Sequence, residues 1–225
     1  IREAIELPLL HSDYSKEFGL EPIKGLLLYG HPGCGKTLIA KAIASTILKD
    51  NNASQDSFVY IKGAELLSMY VGATEERIIK MFKNCRNFTH KTKKRSVIFI
   101  DEAEAILPAR GSRVSSDVDK TIVPTFLSEM DGFDDNSPFI ILSSNLPNSI
   151  DEAVLRPGRI DVKVEISKPT QDDAVEIFDI HLKKVKKFED ITILSQFGAE
   201  FIFESQKNVT GAMIESCVKL ATQNA

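Results

Sequence analysis

The sequence predicts an α/β protein, a doubly wound parallel sheet followed by a small α-helical domain. Two observations carry the sheet. Short apolar runs bounded by polar or glycine residues alternate with helical patterns along the first two thirds of the chain. The runs are apolar on both faces, as strands of a parallel sheet covered on two sides must be. A third observation carries the helical domain: after Pro169 only helical periodicity remains.

The elements follow in order. Residues 25–30 (GLLLYG) read as the first strand, and a helix is expected from Lys36 to Lys49. Residues 57–63 (SFVYIKG) give the second strand, followed by a helix from Glu75 to Asn87. Residues 96–102 (SVIFIDE) give the third, with a helix from Ser116 to Met130 behind it. Residues 138–145 (PFIILSSN) give the fourth and residues 161–167 (DVKVEIS) the last. Pro169 in KPT is the best boundary, because proline disfavours continuation of regular structure through the preceding residue. The reading is therefore an α/β domain over 1–168 and a helical domain over 169–225. In the latter, Ala174, Val175, Phe178, His181, Leu182 and Val185 share one helix face. A second helix starts near TGAMIESCVKLA, with no convincing strand pair between. The chain runs from Ile1 to Ala225 and stops inside an amphipathic pattern, so the helical domain is expected to be truncated at its C-terminus.

Composition narrows the function classes. Of 225 residues 43% are hydrophobic and 27% charged, the profile of a globular protein. A formal charge of −4 gives no support for a general nucleic-acid binder. Cys34, Cys85 and Cys217 show no metal or disulfide spacing, which points to a reducing, cytoplasmic setting. No apolar run approaches the roughly 20 residues that span a bilayer, so no membrane segment is expected in this stretch.

Chemistry begins at YGHPGCGKTLIAKAIA. Gly30, Gly35, Lys36 and Thr37 fit G-x-x-x-x-G-K-[ST], after an expected strand and at the start of an expected helix. Glycines let backbone N–H groups converge on phosphate oxygens, and the helix N-terminus adds positive potential. Residues Pro32, Gly33, Cys34, Gly35, Lys36, Thr37 and Leu38 are thus the expected nucleotide cradle, with Lys36 on the β/γ-phosphates and the Thr37 hydroxyl on Mg²⁺. Cys34 occupies an x position and lends its backbone. In VIFIDE, four apolar residues set Asp101 and Glu102 at the carboxyl end of a buried strand, where α/β sheets place ligands. Asp101 suits a place on the metal's outer shell and Glu102 suits orienting an attacking water. An acid beside the γ-phosphate predicts hydrolysis of ATP to ADP and phosphate, not binding alone.

These motifs resemble those of the AAA ATPases, and the likeness covers nearly the whole chain. SSNLPNSIDEAVLRPGRID (143–161) is similar to that family's second region of homology. The resemblance implies a polar sensor role for Asn145 and makes Arg156 and Arg159 the arginines that a neighbouring subunit inserts into the site. It implies contacts of His181 with the ribose and base, and a close pass of Gly211 and Ala212 by the nucleotide. A histidine packed in a core is the competing reading of His181. MDGF (130–133) resembles the inter-subunit signalling segment. His31 stands where the family commonly has proline.

Tyr70, Val71 and Gly72 form an aromatic–hydrophobic–glycine triplet that in similar hexameric unfoldases faces the central pore. A ring grips polypeptide by apolar contact regardless of sequence; a tyrosine merely covering the core is the bland alternative. The basic run HKTKKRS (90–96) reads as solvated loop. Within the family the likeness is greatest to proteasomal ATPases, especially the actinobacterial ring-forming branch, through IKGAELLSMYVGATEE and RGSRVSSDVDKTIVPTFLSEMDGF. It implies a homo-hexamer that unfolds and translocates tagged or unfolded proteins, feeding a proteasome core particle. A remodeller of protein complexes without a protease, a nucleic-acid motor and a ring that binds ATP without hydrolysing it are the alternatives.

Overall fold

A computed structural model describes residues 23–48, 57–67, 73–111, 121–131, 136–185, 190–206 and 208–223. Tyr70, Val71 and Gly72, and the Gly132 and Phe133 of the MDGF segment, lie outside the described residues. The described residues up to Tyr29 with Thr37–Glu165 make one compact unit, and Gly30–Lys36 with the described residues from Ile166 onward make a second.

The first unit holds, apart from the end residues Gly30, Lys36 and Ile166, the elements β1 (Gly25–Gly30), α1 (Lys36–Leu48), β2 (Phe58–Lys62), α2 (Gly63–Leu67), α3 (Ala73–Thr92), β3 (Val97–Asp101), α4 (Val123–Asp131), β4 (Phe139–Ser144) and β5 (Val162–Ile166), with 3-10 turns at Ala103–Ala105 and Pro147–Ser149. The sheet order is β2-β3-β4-β1-β5. The pairs β2–β3, β3–β4 and β1–β4 are all parallel. Each strand lies within the run that the sequence marked for it.

Position in the sheet explains the difference among strands. β3, β4 and β1 are central, and Leu26–Leu28, Val97–Ile100 and Phe139–Leu142 have no exposed surface. β2 and β5 are edges, and in them the two-sided apolar expectation fails. Tyr60 and Lys62 of β2, and Lys163 and Glu165 of β5, are exposed. Edge strands face solvent on one side, and charged side chains there discourage pairing with another chain.

Ile78 and Phe82 of α3 and Phe126 and Met130 of α4 join Leu27, Ile98, Ile100, Ile140 and Leu142 in one buried cluster. Phe82 and Phe126 meet edge to face at 5.4 Å. Each such side chain, fully buried, contributes about 1.5–3 kcal/mol. α3 extends beyond its expected span at both ends. At its start the Thr74 hydroxyl donates to the Leu66 carbonyl at 2.9 Å. Its far end takes in His90, Lys91 and Thr92, so the basic run is partly helical. Arg95 at the end of that run is structural. Its guanidinium donates to the Ile23 carbonyl at 2.9 Å and lies over the Phe139 ring.

The second unit contains α5 (Gln171–Lys183), α6 (Ile191–Ser205) and α7 (Gly211–Gln223). Ala174, Phe178 and Leu182 pack with Ala199, Ile202, Val209, Ile214 and Val218. α5 opens with a capping box in which the Thr170 hydroxyl accepts from Asp173 N and the Asp173 carboxylate accepts from Thr170 N. α6 was not anticipated by the sequence reading. Its apolar residues do not gather on one face: Ala199 and Ile202 are buried, whereas Phe197 and Phe201 are exposed. Gly198 lies inside this unbroken helix, where the Phe178 ring stands 3.0 Å from the place a Cβ would take.

Candidate nucleotide site

The glycine loop belongs to the second unit, and its form follows from its residues. Gly35 has φ +88°, a left-handed conformation that a side chain would strain, and the space where its Cβ would stand is open. An approaching anion thus meets backbone and not side chain. His31, Pro32 and Gly33 are exposed, and Cys34 and Gly35 half-buried. Lys36 is buried, and its ammonium donates to the carbonyls of Gly30 and His31, both at 2.9 Å. These bonds draw the loop round its own cation. Ala212 N donates to the Gly33 carbonyl at 3.1 Å. The first turn of α7, with Gly211 at its start, is thereby tied to the loop. His31 takes part through its backbone carbonyl, a group that proline also carries.

In the first unit the carboxyl ends of four strands come level. Tyr29 of β1 is opposite Ser144 of β4, and Lys62 of β2 opposite Asp101 of β3. Thr37, in the first turn of α1, donates its hydroxyl to Asp101 Oδ2 at 2.8 Å. The same oxygen accepts from the Tyr60 hydroxyl at 3.4 Å, and Asp101 Oδ1 accepts from the Ser143 hydroxyl. Ser143 Oγ in turn accepts from Glu102 N at 3.3 Å. Burial pushes the Tyr60 hydroxyl above its ordinary range, and the charge and hydrogen bond of Asp101 push it the same way.

Glu102 has φ 56° and ψ 50°, left-handed for a residue with a side chain. Its carbonyl accepts from Ala105 N at 3.0 Å, which starts the 3-10 turn, while its side chain stays exposed. Asn145, just past β4, is held through its backbone N–H, which donates to Glu104 Oε1 at 3.3 Å. The loops after β3 and β4 are joined further on, where Ala109 N donates to the Ser149 carbonyl at 2.7 Å and Asp151 N to the Leu107 carbonyl at 2.9 Å.

The arginines lie on the turn that leads to β5. Asp161 shapes that turn, accepting from Gly158 N and from Lys24 N, each at 2.8 Å. Arg156 is exposed. Arg159 is held by its own chain, its Nε donating to Asp131 Oδ1 at 2.7 Å. Among the described residues neither arginine has a hydrogen bond to Asp101, Glu102 or Asn145. Leu38 is exposed, 73% of its surface open. His181 is half-buried in the last turn of α5. Its charge is among the lesser influences that lower the Glu215 carboxyl of α7, behind the hydrogen bond from Lys219.

Thr37, Asp101, Glu102 and Asn145 are thus gathered at the strand ends, and Gly33, Lys36 and Ala212 around the loop. Tyr60, Ser143 and Glu104 were missed by the sequence reading. Ser143 had left a signal, a polar residue in the last part of an apolar run; Tyr60 had left none in the alternation of β2. A hydroxyl and a carboxylate on adjacent elements are hard oxygen donors, suited to magnesium when phosphate oxygens complete the shell.

The model of the ATPase family associated with various cellular activities (AAA) matches residues 26–168. A proteasome-associated ATPase of Saccharopolyspora erythraea is 42% identical over 97% of this chain and 37% of its own length. A second protein of that name, from Kineococcus radiotolerans, is 47% identical over 81% of this chain and 32% of its own. An AAA ATPase forming ring-shaped complexes, from Corynebacterium urealyticum, is 44% identical over 81% of this chain and 35% of its own. The chain spans about a third of the length of these curated relatives. Among the described residues no helix is long and apolar enough to cross a membrane. With a glycine loop closed on Lys36, a threonine on a strand-end aspartate and a family match spanning the sheet, the chain belongs to the AAA ATPases and carries their nucleotide-binding fold.

Proposed function

We propose that this chain is the ATP-hydrolysing part of a ring motor that unfolds and threads protein substrates into a proteasome-type protease. The observation that carries the hydrolytic half is the Thr37–Asp101 hydrogen bond, beside an exposed Glu102 at the carboxyl end of the sheet. The names of the relatives support the other half.

Loop residues 31–36 receive the phosphates, and Lys36 exchanges its two carbonyl acceptors for phosphate oxygens. Magnesium, when bound, neutralises charge on those oxygens; Thr37 and Asp101 are the residues that would hold it. The Glu102 carboxylate accepts a hydrogen bond from the attacking water and orients it, with the Asn145 side chain as second polar group. Gly211 and Ala212 report on the loop through the Ala212–Gly33 bond. His181 contacts the ribose and base. Arg156 and Arg159 complete the site from the next protomer of a homo-hexamer, where such guanidinium groups are worth about 10³–10⁵ in rate. Tyr70, Val71 and Gly72 grip the threaded chain.

Two substitutions in the full-length protein test this. Glu102→Gln retains nucleotide but loses phosphate release by about 10²-fold or more, the usual scale for a positioned acid or base. Tyr70→Ala keeps phosphate release and loses unfolding of a fluorescent substrate protein. Normal unfolding by Tyr70→Ala would remove the threading assignment and leave the hydrolytic one standing.

A further inference from the structure

The Asp101 carboxylate is held by more than the motif residue Thr37. An ionised carboxylate offers about four lone-pair sites, and its terminal torsion is broad and soft, so one hydrogen bond does not fix its plane. Three hydroxyls meet it here. Thr37 and Tyr60 donate to Oδ2, at 2.8 and 3.4 Å, and Ser143 donates to Oδ1. They come from three elements, α1, the edge strand β2 and the central strand β4.

All three donors are neutral. A lysine or arginine would fix the carboxylate equally well but would cancel the charge that a divalent cation needs. Hydroxyls fix the orientation and leave the charge. The two outer donors are themselves held. The Tyr60 ring packs on Phe99 with centroids 5.3 Å apart, and the Lys41 ammonium lies 5.3 Å over its centre. Ser143 is buried and accepts from Glu102 N at 3.3 Å.

We infer that Tyr60 and Ser143 are positioning residues for the metal–nucleotide complex, fixing the plane of Asp101, with Ser143 also tying that carboxylate to the backbone of Glu102. The inference rests on the reading of Thr37 and Asp101 as the metal-side pair. Their roles differ in a measurable way. Tyr60 touches the metal side alone. Ser143 bridges the metal side and the residue that orients water.

The experiment measures the affinity of the full-length protein for a fluorescent ATP analogue, in magnesium and in EDTA, for the native chain, Thr37→Ala, Tyr60→Phe and Ser143→Ala. The ratio of the two affinities isolates the metal-dependent part. Tyr60→Phe lowers the ratio about twofold, the low end of the scale of one neutral hydrogen bond, as suits a 3.4 Å contact. Ser143→Ala lowers it by about ten- to a hundredfold, as loss of an outer-shell partner does, and also slows turnover at saturating magnesium. Tyr60→Phe alters a surface position conservatively and carries the test if Ser143→Ala does not fold. If Thr37→Ala lowers the ratio while Tyr60→Phe and Ser143→Ala leave it native, this inference is overturned and the site reading survives. If Thr37→Ala leaves the ratio native as well, the site reading falls and the inference with it. A shift in melting temperature with an unchanged ratio would mark a purely structural role and overturn the proposal.

Discussion

At the scale of single residues, the instructive one is Glu102. A side chain in the left-handed region costs roughly 1–2 kcal/mol. Glu102 adopts it because its N–H and carbonyl are both engaged, by Ser143 Oγ and Ala105 N. The strained residue stands just past the carboxyl end of β3 with its side chain exposed, and such outliers gather at functional sites. Asparagine tolerates the left-handed region better than glutamate but is a methylene shorter. Glu102→Asn is therefore expected to melt at or above the native temperature while losing phosphate release. A clear fall in melting temperature, read by calorimetry, would show that the backbone is not under strain at this position.

At the scale of elements, the start of α5 shows how few residues define a helix end. Thr170 and Asp173 exchange hydrogen bonds, and the two bonds from Thr170 to the Asp173 carboxylate hold that acid below its usual range. Thr170→Ala is expected to cost about 1 kcal/mol, measured by urea unfolding. The pH dependence has a definite sign. A carboxyl depressed in the folded state stabilises fully above its unfolded value, about 3.9, and the contribution is lost as pH falls through the folded value. The difference between native and Thr170→Ala chains should therefore be constant near neutrality and shrink on acidification below that range. A difference that grows in acid would refute the assignment.

At the scale of the whole molecule, the arginines matter most. Arg156 is exposed and Arg159 is held by Asp131 of its own chain. The proposal that they complete the site of a neighbouring protomer makes a sharp prediction. Complementation tests the idea. Full-length Glu102→Gln and Arg156→Ala proteins, each inactive alone, should regain phosphate release when mixed and reassembled. In the mixture an intact Glu102 of one protomer meets an intact Arg156 of the next. Continued inactivity in verified mixed rings would show that the finger does not act across protomers.

The sequence by itself determined the five strands, their parallel class and the strand–loop–helix setting of the glycine motif. Those properties depend on local apolar runs and on glycine chemistry, which short stretches encode completely. It also marked Thr37, Asp101 and Glu102 as candidates, each at a fixed offset from an apolar strand or the glycine loop, whereas Asn145 was marked by the family resemblance alone. It did not determine which strands lie at the edges, so the alternation in VKVEI and the exposure of Tyr60 carried no meaning until β2 and β5 were placed. α6 was illegible for a similar reason, since Gly198 makes sense only with the Phe178 ring of another helix against it. The meeting of Thr37, Tyr60 and Ser143 on one carboxylate joins residues 37, 60, 101 and 143. Only the order of the strands decides which side chains at that separation share an oxygen, because hydrogen bonding is set by distances of a few ångströms and not by spacing along the chain.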